Sequence, residues 1–125
     1  MLPKFERLKI NSEFKAAYRL KNSVADTLFI LYAGKAKTSP EYPTKVGFVV
    51  SKKIHKRATK RNRIKRLFRE AYRNARKNND IKESQQWRSL IFIARGAALD
   101  TNYKEVYDAI IKNIKRLDKK FGKTT

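Results

Sequence analysis

Apolar positions recur along this chain with two periods, and the switches between them outline its elements. Phe14, Ala17 and Tyr18 fall at i, i+3 and i+4 behind Asn11 or Ser12, either of which can cap, so a short helix is predicted. Over residues 23–33, Leu28, Ile30 and Tyr32 interleave with Thr27, Phe29 and Leu31, which reads as a buried strand. A shorter strand at 23–25 can precede it. Residues 34–44 carry Pro40 and Pro43 and form a surface connection; 45–51 then place Val46, Phe48 and Val50 on one side of a second strand. For two strands so joined, an antiparallel pair is the simplest expectation.

The second half is written in the same way. Ile64, Leu67, Phe68, Ala71 and Ala75 form one stripe of an amphipathic helix over 64–76, with Tyr72 at its edge and Asn78, Asn79 and Asp80 ending it. Residues 81–88 are polar apart from Ile81 and Trp87. Residues 89–95, SLIFIAR, are an almost wholly apolar strand expected at the centre of a sheet and broken by Gly96. Asn102 and Glu105 have capping-box spacing. Behind them Tyr103, Val106, Tyr107, Ile110, Ile111, Ile114, Leu117 and Phe121 share one helical face. The pattern gives α-β-β-(β)-α-β-α, an α+β sandwich with helices against one sheet.

With 125 residues, 41% of them hydrophobic, the chain fits a single domain spanning 1–125, with 1–5 and 122–125 expected as flexible ends. Charge changes the picture more: 32 Lys and Arg against 11 Asp and Glu leave a formal +21. Self-repulsion on that scale disfavours a compact state without a polyanionic partner. The absence of cysteine excludes disulfides, thiolate metal sites and cysteine nucleophiles, and His55 is the single histidine, so a multi-histidine metal site is excluded too. No segment approaches the roughly 18 apolar residues of a membrane span. No secretory signal is evident, so a soluble cytoplasmic protein without a membrane partner is expected.

Half of the charge problem sits in one place. Of the 26 residues 52–77, 13 are Lys or Arg and only Glu70 is acidic. On a wheel of roughly 100° per residue, Lys65, Arg66, Arg69, Arg73 and Arg76 lie away from the apolar stripe, with Arg63 at its far border. Arg61, Lys65, Arg69 and Arg73 form an i, i+4 row of like charges that repel one another, whereas a merely solvated face usually mixes signs. Arginine's planar fork meets two phosphate oxygens at once and stacks on bases. Lys52, Lys53, Lys56 and Arg57 precede the helix in a loop, and Asn62 either contacts a base or ribose or caps a turn. His55 reads as a loop residue, since one histidine offers no acid–base pair.

The string SKKIHKRATKRNRIKRLFREAYR, residues 51–73, closely resembles the signature of the bacterial ribonuclease P protein subunit. The likeness extends upstream through RLKINSEFKAAYRLKNSVADTLFILY and downstream through LIFIARGAALDTNYKEV, about nine-tenths of the chain. It implies an α-β-β-β-α-β-α sandwich on one mostly antiparallel sheet, with a left-handed βαβ crossover where the general rule favours the right-handed one. It also implies partnership with ribonuclease P RNA and precursor tRNA and with no obligate protein. Cleavage of the tRNA 5′ leader would belong to the RNA and its Mg²⁺, with no catalytic or metal-ligating residue in the protein. Carried over, Arg61, Asn62, Arg63, Lys65, Arg66 and Arg69, with Lys52 and Lys53, would bind the catalytic RNA. Phe14, Tyr18 and Tyr32 would line a cleft for the single-stranded leader. Taken alone, two aromatics at i, i+4 on a short helix are more often core than a nucleotide platform, and Tyr32 is equally explained as a core strand residue with its hydroxyl at the rim. A plain RNA-binding or ribosomal protein fits the same charge and size. A protein-only nuclease would need clustered carboxylates or a histidine pair, and the acidic residues are scattered.

Overall fold

A computed structural model describes residues 8, 11–35, 37 and 43–121, with the side chains of residues 11–13 and 83 outside that description. The cap expected from Asn11 or Ser12, most of the 34–44 connection and the ends expected to be flexible therefore lie outside the described residues. The elements run α1 (Asn11–Leu20), β1 (Asn22–Ala25), β2 (Phe29–Ala33), β3 (Lys45–Val49), α2 (Ala58–Lys77), β4 (Ser89–Ala94) and α3 (Tyr103–Phe121). Short 3₁₀ turns occupy Lys82–Gln86 and Gly96–Asp100. This is the α-β-β-β-α-β-α order.

The sheet order is β1-β2-β4-β3. β1 pairs antiparallel with β2, and β2 antiparallel with β4, but β3 and β4 are parallel. The antiparallel β2–β3 pair expected from the sequence is thus replaced: β4 stands between them, and α2 is the crossover joining parallel neighbours. The reason lies in β4 itself. Its apolar residues 90–93 need cover on both faces, and its backbone needs partners on both edges, so it takes a central position.

Alternation along the strands sorts the core into two layers. Phe29, Leu31, Ala33, Val46, Val50, Leu90, Phe92 and Ala94 face α2 and α3, which supply Ile64, Phe68, Ala71, Tyr72, Val106, Ile110, Ile114 and Leu117. Phe92 is the hub, with ring centroids 5.2 Å from Phe29, 5.5 Å from Phe48 and 5.9 Å from Tyr72. Tyr72, expected at the stripe's edge, is fully buried. The opposite face carries Ile91, with Tyr32, Val49 and Ile93 around it, under Leu8 and the Phe14, Ala17 and Tyr18 side of α1. Leu8 is tied to the sheet by its N–H to the Val46 carbonyl at 3.0 Å.

α2 starts at Ala58, six residues before its apolar stripe becomes readable. Residues 58–60 are exposed, so hydrophobic period cannot mark them, and extending a nucleated helix is cheap. The helix closes with Asn79 in the left-handed region (φ 59°), the Asp80 N–H on the Ala75 carbonyl at 2.9 Å and the Asn79 N–H on the Arg76 carbonyl at 3.0 Å. That is the Schellman arrangement, with asparagine in place of the usual glycine. α3 opens with the expected box: the Glu105 N–H donates to Asn102 Oδ1 at 2.9 Å, and Asn102 Nδ2 to Glu105 Oε1 at 3.2 Å. Ile81 and Trp87, the two apolar residues of the polar 81–88 stretch, are buried anchors of that connection.

Candidate nucleic-acid interface

Burying Ile64, Phe68, Ala71, Tyr72 and Ala75 fixes which way α2 turns its remaining side chains. Asn62, Arg63, Arg66 and Arg73 are exposed, and Lys65, Arg69 and Arg76 half-buried at the flanks. Glu70, the lone carboxylate in the segment, stands 3.7 Å from Arg73. The first turn holds no acidic residue to offset the cations gathered at the helix N-terminus. Lys52 and Lys53 project from the turn that follows β3, stabilised by the Ile54 N–H on the Ser51 carbonyl (3.0 Å) and the Lys53 N–H on Ser51 Oγ (3.1 Å). Both lysines are exposed. Seven of the eight predicted RNA-binding side chains therefore present nitrogen donors without a described protein acceptor.

Arg61 is the exception. Its Nη1 donates to the carbonyls of His55 (2.8 Å) and Lys56 (2.7 Å), so the guanidinium clamps the loop ahead of α2. His55 belongs to the same small network, its Nδ1 accepting the Arg57 N–H at 3.0 Å. A motif assigns Arg61 only to the basic row; that it folds back on its own loop is a property of the tertiary path, invisible in spacing.

The aromatic residues gather on the other face of the sheet. Tyr18 meets Tyr32 edge-on with centroids 5.0 Å apart, and Phe14 lies 6.4 Å from Tyr18. All three are half-buried. Gly47 of β3 makes the floor: a Cβ there would stand 2.7 Å from Phe14 Cζ, so only glycine lets the ring lie this low on the sheet. Burial raises the Tyr18 pKa, and Tyr32 raises it further, so the phenol remains a neutral hydrogen-bonding group. The trio is thus both core and rim, its inner edges on Ala17 and Ile91 and its outer surfaces open.

Sequence reasoning passed over the α2–α3 seam. There Asn74 Nδ2 donates to the Tyr103 hydroxyl at 2.8 Å and Asn78 Nδ2 to the Tyr107 hydroxyl at 2.9 Å, while Tyr107 donates to Asp80 at 2.5 Å. The available signal was two asparagines four apart, in the last turn and at the C-cap of α2, facing two tyrosines four apart on α3. Among the described residues, no three histidine or acidic side chains are grouped so as to hold a metal ion, and no helix is long and apolar enough to cross a membrane.

Comparison with known proteins follows the same outline. The family model described as Ribonuclease P matches residues 2–118. The chain is 37% identical to the Ribonuclease P protein component of Clostridium botulinum (strain Loch Maree / Type A3), across 90% of this chain and 95% of that protein. It is 36% identical to the component of the same name from Alkaliphilus oremlandii, across 90% of each. The solved RNase P protein of Staphylococcus aureus superposes with a TM-score of 0.70 at 29% identity, covering 90% of this chain and 95% of that one. The Thermotoga maritima protein shares the fold, with a TM-score of 0.72 at 23% identity over 89% and 96% of the two chains. The family model over residues 2–118 and relatives at 36% and 37% identity over 90% of the chain agree, and the chain belongs to the ribonuclease P protein family.

Proposed function

We propose that this chain is the RNA-binding protein subunit of a ribonuclease P, acting in the cytoplasm in maturation of the tRNA 5′ end. In this reading the exposed face of α2, with Lys52 and Lys53, holds the catalytic RNA, and the Phe14, Tyr18 and Tyr32 cleft holds the single-stranded leader of precursor tRNA. The observation that carries it is the separation of two surfaces across the sheet: exposed Lys52, Lys53, Arg63 and Arg66 on the α2 side, a half-buried aromatic trio on the α1 side. Guanidinium forks suit backbone phosphates, and aromatic faces suit unpaired bases. Phosphodiester hydrolysis is assigned to the RNA with Mg²⁺ held mainly by that RNA; the protein's contribution is to bind and position both RNA strands and to screen their charge.

Reconstitution with a bacterial ribonuclease P RNA tests this. The protein alone should leave precursor tRNA intact, and its addition should lower the Mg²⁺ concentration the RNA needs to release the leader. An unchanged requirement across a Mg²⁺ titration would overturn the proposal.

A further inference from the structure

We infer that the RNA-binding surface continues past α2 onto the first turn of α3, where Tyr103 is a stacking platform for one unpaired nucleobase. The inference rests on the reading of α2 as an RNA-binding face. Tyr103 is 38% exposed, one of two large apolar side chains left exposed among the described residues. With Leu67 it lines a surface recess of ≈ 400 Å³, whose remaining walls are Arg63, Arg66, Arg69 and Glu70. The single carboxylate of that wall pairs with Arg73, so the recess offers a flat apolar floor within a cationic frame. That combination fits a base flanked by its own phosphates, and it fits neither an apolar peptide nor an acidic side chain without an aromatic counterpart.

The ring is also held still. Its hydroxyl accepts from Asn74 Nδ2, and its ring lies against Tyr107, tilted by 38° at a centroid distance of 5.8 Å. Tyr107 is in turn fixed by Asn78 and Asp80. A platform anchored from α2 through its polar end loses little freedom when a base settles on it. Because Asn74 sits on the arginine-bearing helix, it ties the ring to the element that carries the guanidinium groups.

The experiment measures affinity of the full chain for a ribonuclease P RNA transcript over a salt series. Tyr103→Ala should weaken binding about fivefold to hundredfold at every salt concentration, leaving the log–log slope unchanged, because stacking releases no counterions. Tyr103→Phe, which keeps the ring, should stay within about twofold of the parent. Arg66→Ala should behave differently, making the slope shallower by about one. Should Tyr103→Ala melt early, Tyr103→Leu restores apolar bulk without a π-face; the platform requires that it still bind weakly. Parent-like affinity of Tyr103→Ala or Tyr103→Leu, or an equal loss in Tyr103→Phe, would overturn the inference while the α2 reading stands. So would Tyr103-dependent binding to phosphatidylglycerol vesicles with RNA affinity intact. If the unmodified chain shows no salt-dependent RNA binding, the reading beneath it fails instead.

Discussion

Arg61 and Arg66 share a helix and a charge, yet their surroundings set them different tasks. Arg61 spends its Nη1 on two loop carbonyls, whereas Arg66 is exposed, with no described acceptor. Arg61→Ala should therefore lower unfolding stability by about 1–3 kcal/mol, the range for losing hydrogen bonds from a charged donor, measured by urea denaturation. Arg66→Ala should leave stability within about 0.5 kcal/mol and weaken RNA binding. Gly47 admits a comparable contrast. Gly47→Ala must lift the Phe14 ring, so leader-dependent binding should fall while binding of the catalytic RNA is retained. Equal losses of both would argue against two separate surfaces.

At the scale of elements, the helix ends and the seam between helices carry the testable weight. Asn102→Ala removes the first hydrogen bond of α3 and should cost about 0.5–2 kcal/mol in thermal or chemical unfolding. Tyr18 and Tyr107 both ionise above the usual tyrosine value of 10.0, Tyr18 chiefly through burial and Tyr107 chiefly through its hydrogen bond to Asp80. A raised phenol holds its proton more tightly folded than unfolded. Its contribution is complete below the ordinary value and is lost as pH climbs through it toward the raised one. Unfolding midpoints should thus be insensitive to these groups from about pH 8 to 9 and decline beyond about pH 10. Most elements were legible because burial imposes a period: the stripes of α2 and α3 and the alternation of β3 are direct imprints of the two core layers. What escaped was whatever the period does not encode. The exposed first turn of α2 buries no apolar residue, and the tyrosine–asparagine seam shows in the sequence only as two i, i+4 pairs that nothing in the spacing links. The partner of β2 is not legible from adjacency, because β2 and β3 are consecutive in sequence but not in the sheet; the apolar composition of β4 is what marks it as central.

At the scale of the whole molecule, the formal +21 is distributed so that α2 is the densest cationic surface and the α1 cleft lies across the sheet from it. Neutralising six to ten phosphates would give a log–log salt slope of roughly −5 to −9 for the RNA complex. A flat response in filter binding would contradict the electrostatic assignment. The cationic face was readable in advance, since thirteen basic residues in twenty-six leave a helix few other arrangements. The aromatic cleft was readable only through resemblance, because Phe14 and Tyr18 obey the same spacing whether they face a core or a ligand, and the structure leaves both half-buried.

The position of β4 has a consequence for how the protein is made. β2 and β3 leave the ribosome early, yet they are not neighbours in the finished sheet: the strand that belongs between them is separated from β3 by the whole of α2. Until residues 89–94 emerge, the nascent chain carries two strand edges held open, and the apolar side of α2 has only β2 and β3 to pack on, through Phe29 and Phe48. The sheet is closed from its middle by a late arrival, in a chain whose like charges resist collapse in the meantime. A polyanion that meets α2 during this interval would lower that resistance and favour completion of the fold.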